Sequence, residues 1–224
     1  MPFKDRTDAG RQLAKALERY RNKKPVILAL PRGGVPVGAE VATALDAPLD
    51  LILVRKIGVP FNPELAMGAV VDGTAPLIVR NDDVILMAGV KDADFKAVCA
   101  SELAEIERRR CRYLGKRERI DVTGRTAIVV DDGIATGATT RAALQATRMR
   151  KPKKLILAVP VAPTETIAAL RRDADEVICL EDYERFGAIG FYYGDFNQVS
   201  DEEVIRLLEQ SGGRDRSGSR QSAA

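Results

Sequence analysis

The sequence predicts an α/β fold with a parallel sheet flanked by helices, on three observations. Five short apolar runs are spaced along the chain: Val26 to Leu30, Leu49 to Val54, Thr126 to Val130, Leu155 to Val159 and Glu176 to Leu180. They are continuous rather than alternating, as expected of strands covered on both faces. Helical patterns lie between several of them, at 36–45, 92–114, 138–150 and 164–173. That succession reads as βαβ units, whose strands run parallel.

Taken in chain order, Leu13, Ala16, Leu17 and Tyr20 fall at helical spacing and predict a helix over residues 8–22. Pro25 ends it and the first strand follows. After the second strand, residues 57–67 (IGVPFNPELAM) hold two prolines, a glycine and no period, which reads as a mobile loop. Gly68 to Val71 and Pro76 to Val79 flank Asp72-Gly73, a hairpin signal. The helix at 92–114 lines up Phe95, Cys99, Leu103, Ile106 and Tyr113 on one stripe and charges on the other. Residues 211–224 (SGGRDRSGSRQSAA) carry no core-forming side chain and read as a disordered tail, which leaves residues 1–210 as one domain.

Composition narrows the function. At 224 residues, 46% hydrophobic and 30% charged, the chain is long enough to bury a core without staples. A net charge of +3, partly contributed by arginines in the tail, gives no reason to expect a nucleic-acid partner. The Arg108-Arg109-Arg110 run with Arg112 is interleaved with Glu105 and Glu107 and reads as a solvated helix face. No apolar run reaches the roughly 18 residues of a membrane span, and the charged amino-terminal stretch has no secretory apolar region. Cys99, Cys111 and Cys179 are odd in number and form no CxxC pair, so they read as reduced thiols of a cytoplasmic protein. There is no histidine, which removes Ser-His-Asp triads, Cys-His dyads and HExxH zinc sites.

Chemistry concentrates in AIVVDDGIATGATTRAAL, Ala127 to Leu144. A buried strand ends in Asp131-Asp132, and a small-residue loop follows, with Thr139 or Thr140 placed to cap the next helix. Ligands of open parallel sheets bind beyond the carboxyl ends of strands, where these acids stand. Backbone amides approach an anion only where side chains are small, and a helix amino terminus adds its dipole. Gly137 is followed by Ala138 rather than Lys, so this is no triphosphate loop of the GxxxxGK[ST] kind, and no GxGxxG occurs. Two acids before a monophosphate-sized loop suit a sugar phosphate.

This stretch closely resembles the phosphoribosyl pyrophosphate (PRPP) motif of type I phosphoribosyltransferases. The resemblance implies that Asp131 and Asp132 contact the ribose hydroxyls and a metal, while Ala135, Thr136, Gly137, Ala138 and Thr139 bind the 5′-phosphate. Ala138 departs from the glycine or serine of many members, and its methyl is tolerated only in a right-handed backbone. LPRGGVPVG, Leu30 to Gly38, resembles the family's pyrophosphate loop. Arg32, Gly33 and Gly34 would take that role, with a cis peptide near Arg32-Gly33. Val54-Arg55-Lys56 and the loop after it match the mobile segment that closes over substrate, with Lys56 as a further cation and Glu64 within that segment. The resemblance covers about residues 20–185 and makes 181–204, with the amino-terminal helix, a variable hood over the acceptor. Within the family the chain looks most like bacterial stand-alone members whose acceptor is not established.

What the resemblance implies is transfer of the 5-phosphoribosyl group from PRPP to a nucleobase or other nitrogen nucleophile, with Mg²⁺ as cofactor. Arg32, Lys56, Asp131 and Asp132 would carry the catalysis. A PRPP-sensing regulator without transferase activity is the alternative reading, and a sugar-phosphate phosphatase or kinase a weaker third. Tyr183, Phe191, Tyr192 and Tyr193 either stack on an aromatic acceptor or close the edge of the core. The oligomeric state stays open, a homodimer being the commonest assembly.

Overall fold

The computed structural model describes residues 2–73 and 76–212. α1 (Arg6–Ala16) is capped by Asp5, whose carboxylate accepts from the Asp8 amide at 2.8 Å. The helix expected to reach residue 22 stops at Ala16. Glu18–Lys23 tightens into a 3-10 turn, and Lys24 in the left-handed region turns the chain toward Pro25.

β1 (Val26–Ala29), β2 (Leu49–Leu51), β6 (Thr126–Val130), β7 (Lys154–Pro163) and β8 (Glu176–Tyr183) form one sheet in the order β2-β1-β6-β7-β8, every pair parallel. The continuous apolar runs follow from how side chains alternate across it. Ile27, Ala29, Ile128 and Val130 join a core with Leu13 and Leu17 of α1, Val37 and Val41 of α2 (Gly34–Leu45), and Phe95 and Ile106 of α4 (Asp92–Leu114). Val26, Leu28, Ala127 and Val129 face the opposite way, against Ala143 and Leu144 of α5 (Ala138–Met149) and Ile167 and Leu170 of α6 (Thr164–Leu170). Both faces are covered, so consecutive positions of β1 and β6 are apolar alike.

The segment read as a mobile loop is not a loop. β3 (Val54–Val59) and β4 (Asn62–Val71) make an antiparallel arm, to which β5 (Leu77–Arg80) adds a third strand in register Val71 with Leu77. The prolines that argued against a strand sit at its exposed tip, beside Phe61 at 73% exposure. Gly58 is needed there, because a Cβ would lie 2.5 Å from the Pro63 carbonyl oxygen. The hairpin read around Asp72-Gly73 is present as the β4–β5 pair, although residues 74 and 75 lie outside the described chain. Asp72 is anchored by the Leu53 amide (3.1 Å) and by Arg119 (2.6 Å).

A short α3 (Asp82–Met87), capped by Asn81, has no counterpart among the elements expected from sequence. The hood segment contributes the end of β8, a 3-10 turn at Ile189–Tyr192, and the start of α7 (Asp201–Gly212). Val204 and Leu208 of α7 pack into the main core rather than over it. α7 also takes in Ser211 and Gly212, so the expected disordered tail begins two residues too early, and its remaining residues lie outside the described chain. Among the described residues no helix is long and apolar enough to cross a membrane, and the three cysteines are unbridged.

At the amino end of the sheet Glu176 gathers Arg19, the Tyr20 hydroxyl and Lys154 (2.7 Å). Burial works against its carboxylate, yet the bonds from Lys154 and Tyr20 outweigh it and pull the group down to about 2. A folded value below the unfolded one of about 4.3 means stabilisation present at neutral pH and lost as pH falls toward 2. Glu176→Gln is expected to cost roughly 1–2 kcal/mol at neutral pH. In urea titrations the difference from the parent chain should shrink steadily below about pH 4; a constant difference would contradict the ion-pair account.

Candidate active site

β1 and β6 are neighbours, with Ala29 beside Val130, so the two segments that follow them meet at the carboxyl edge of the sheet. The Leu30 amide donates to the Val130 carbonyl (2.9 Å), and the Gly34 amide returns to Leu30 (3.0 Å). The turn between is tight because Gly33 and Gly34 lie directly on the acid pair. A Cβ on Gly33 would stand 2.0 Å from Asp132 Oδ2, and one on Gly34 would stand 2.9 Å from the Asp131 Cα. Backbone freedom is not the issue at Gly33, whose φ is −59°. Close approach is. The cis peptide is Pro31–Arg32, one residue before the expected position.

Asp132 is buried, and Asp131 is half-buried with its Oδ1 accepting from the Asp132 amide at 2.9 Å. Desolvation, and then the neighbouring Asp132 carboxylate, push the Asp131 carboxyl well above the usual carboxylate range. A cationic or hydroxyl-bearing ligand would relieve that repulsion. Asp132 Oδ2 accepts from Arg6 Nε at 2.7 Å, and its backbone carbonyl accepts from the buried Tyr193 hydroxyl.

Arg6 escaped the sequence reading, although one signal was available. A cation in the first turn of a helix opposes the macrodipole and needs another reason to be there. The reason is tertiary. Its guanidinium lies 3.8 Å from the centre of the Phe196 ring and donates from Nη1 to the Asn197 carbonyl (2.7 Å), so α1 and the hood segment close on the acid pair together.

The loop expected to hold a phosphate is built differently from expectation at its cap. Neither Thr139 nor Thr140 caps α5. The cap is Gly137, in the left-handed region at φ 75°, with no side-chain cap bond. A Cβ there would also come within 2.8 Å of Thr166 Cγ2. The first intrahelical bond runs from the Arg141 amide to the Gly137 carbonyl (2.8 Å), so the preceding amides of the first turn have no helical acceptor. Ala135, Thr136, Ala138 and Thr139 are exposed, whereas Thr140 is buried. Ala138 opens the helix in right-handed backbone, the condition under which its methyl is tolerated. The loop is held from behind by the Ile134 amide on Val161 (3.0 Å) and by the Thr166 hydroxyl on the Ala135 carbonyl (3.0 Å).

Asp131, Asp132, Gly33, Gly34 and the 135–139 loop therefore come together. The two cationic side chains do not join them. Arg32 reaches toward Asp201 at 3.7 Å, and the polar contacts of Lys56, among the described residues, are with Glu64 across the β3–β4 arm (both 3.2 Å). Of the four hood aromatics, Tyr193 is core and Tyr192 stacks between Tyr183 (4.7 Å) and Phe186 (4.8 Å). Phe191 projects into solvent at 71% exposure.

A five-stranded parallel sheet that carries two carboxylates and two small-residue loops at its carboxyl edge defines an α/β protein of the open-sheet class. Comparison with known families is specific: the chain belongs to the phosphoribosyl transferase domain family, whose sequence profile matches residues 4–193. It is 49% identical over 209 residues to Rv0571c of Mycobacterium tuberculosis H37Rv, and equally to MT0597 of strain CDC 1551, both provisionally named phosphoribosyl transferases. The match covers 93% of this chain and 47% of each relative, so the chain spans about half the length of the curated relatives it matches. TT1426 from Thermus thermophilus, known by crystal structure, is 40% identical with a TM-score of 0.80, over 94% of this chain and 99% of that one.

Proposed function

We propose that this chain transfers the 5-phosphoribosyl group of PRPP to a nitrogen nucleophile, a nucleobase or another amine, and releases pyrophosphate. The observation that carries the reading is the meeting of Asp131-Asp132 with the uncapped first turn of α5. The carboxylates accept the ribose hydroxyls while the amides of residues 135–139 and the Thr136 and Thr139 hydroxyls donate to the 5′-phosphate. The Arg32 and Gly33 amides receive the pyrophosphate, while Gly34, whose own amide is held by the Leu30 carbonyl, lets the turn press against the same acids.

In the reaction the acceptor nitrogen gives its lone pair to ribose C1. The C1–O bond breaks with its electrons leaving on pyrophosphate, and the nitrogen's proton passes to water. Between bond breaking and bond making the ring carries positive charge, which Asp131 and Asp132 are placed to favour. Arg32 and Lys56, at present held by Asp201 and Glu64, are exposed enough to turn to the leaving group. Closure of the β3–β4 arm, with Glu64 at its tip, would exclude water.

The donor set fits Mg²⁺. Among the described residues no cluster of three Asp, Glu, His or Cys side chains exists, so the chain offers the two carboxylates of Asp131 and Asp132, and the remaining ligands would be substrate oxygens and water. When bound, Mg²⁺ supplies neutralisation of the leaving pyrophosphate. On this reading the protein works in the cytoplasm, whose reducing conditions keep thiols such as Cys99, Cys111 and Cys179 unbridged.

The test is pyrophosphate release from PRPP and Mg²⁺ across a panel of purines, pyrimidines and simple amines. Release dependent on one acceptor class is expected. PRPP binding without release from any acceptor would favour the sensor instead, and no PRPP binding would remove both.

A further inference from the structure

The carboxyl edge of the sheet is not the one charged place among the described residues. At the opposite edge, where β1, β6, β7 and β8 begin, lies a groove of about 870 Å³. That volume falls within the roughly 300–1,000 Å³ range of small-molecule sites. Six cations line it: Lys23, Lys24, Arg125, Arg148, Lys153 and Lys154. A single lining carboxylate, Asp175, opposes them, which concentrates five net positive charges in a chain whose total is +3.

The carboxylates at this end are already engaged. Asp175 takes both arms of Arg148 (2.8 and 3.0 Å) and the Leu155 amide (2.7 Å). Glu176, just behind the groove, is shared by Arg19 and Lys154. Lys23, Lys24, Arg125 and Lys153 have no carboxylate partner among the described residues. The hydrogen bonds of Arg125 go to carbonyls, those of Lys24 (3.3 and 3.4 Å) and Asp121 (3.5 Å); the Asp121 carboxylate feels its charge through space but forms no ion pair with it.

The backbone holds these cations on adjacent strand entries. The Lys153 amide donates to the Arg125 carbonyl (2.8 Å), the Gly124 amide to Lys151 (3.0 Å), and Lys24 turns in left-handed backbone beside them. Four adjacent strand starts at about 4.8 Å spacing spread the charges over roughly 14 Å. No ring face is available for a base, because Tyr20 is buried at 6% exposure with its hydroxyl engaged by Glu176 and Lys154. A site of this shape recognises successive phosphates rather than a heterocycle.

We propose that the groove at the amino edge of the sheet is a second anion site, which binds an oligophosphate chain of two or more phosphates, either free or carried by a nucleotide. It lies about 15 Å from the acid pair, the length of the five-residue β6, so its occupancy does not require the candidate active site.

The test is calorimetry with sodium tripolyphosphate on the full chain. The measurement is made first in Thr136→Val/Thr139→Val, which disables the phosphate loop and so separates the two sites. Binding is expected to survive that change. It should then fall at least tenfold when Lys23→Glu/Lys153→Glu is added, and likewise with Arg125→Gln, while circular dichroism stays unchanged. ATP binding within threefold of tripolyphosphate would identify the phosphate chain as the whole ligand. ATP binding more than tenfold tighter, with the same dependence on these cations, would identify a nucleotide. Tripolyphosphate binding that disappears with the phosphate loop, or that ignores the groove substitutions, overturns the proposal. So does single-stranded RNA binding through these lysines in a chain that takes up no tripolyphosphate, since a nucleic-acid surface would then be the correct reading.

Discussion

Asp131→Asn/Asp132→Asn is expected to weaken Mg²⁺-dependent PRPP binding by about 100- to 10,000-fold without unfolding the chain. Each ribose hydroxyl on a carboxylate is a hydrogen bond to a charged acceptor, worth roughly 1.5–3 kcal/mol, and two are removed together. The fold should not suffer, because the Asp131 carboxyl is held protonation-prone by burial and by its neighbour, so neutral amides relieve a repulsion. Arg6 loses its charged partner but keeps the Phe196 ring and the Asn197 carbonyl. Calorimetric titration with PRPP, beside a thermal melt, reads both halves. Unchanged PRPP affinity in a folded double variant would remove the sugar-phosphate assignment.

Gly33→Ala should match that loss by adding a single methyl group. The new Cβ would stand 2.0 Å from Asp132 Oδ2, a separation no real pair of atoms sustains. Asp132 cannot simply swing aside, since Arg6 holds its carboxylate and Tyr193 holds its carbonyl. Either the acid leaves Arg6 or the Pro31–Gly34 turn retreats from the site, and both separate the amides proposed for pyrophosphate from the acids proposed for ribose. The backbone itself does not object, because φ of −59° is ordinary for alanine. PRPP affinity is therefore expected to fall at least a hundredfold, with the melting temperature moved by only a few degrees. A Gly33→Ala chain that binds PRPP normally would show that the two loops need not touch.

Four of the five core strands were legible because they are buried on both faces, and a run such as VILAL or TAIVV leaves no other place for its side chains; β8, at the sheet's edge, is only partly covered and was legible from its short apolar run alone. Helix α4 was legible over its whole length because its apolar stripe keeps the 3.6-residue period over six turns. β4 was not legible. Its first residues, Asn62 to Leu65, are exposed and include a proline, and what makes them a strand is pairing with β3, whose partners lie on the other side of a turn. The cap of α5 was misassigned for a related reason: threonine is the better intrinsic cap, but the turn at position 137 takes left-handed backbone at φ 75°, where a Cβ would also stand 2.8 Å from Thr166 Cγ2, so glycine fills it.

Local chemistry was thus written in the sequence alone: buried strand, adjacent acids, small-residue loop, glycine pair, and a charge balance that named no partner. Those features depend on the residues within one or two turns of each other. Only the tertiary structure decided that the glycine pair lies against the acids, that Arg6, 126 residues before Asp132, grips it, and that cations from separate strand entries share one groove. Such meetings depend on sheet order, and sheet order is set by which faces bury against which helices, a competition among distant segments that no local pattern records.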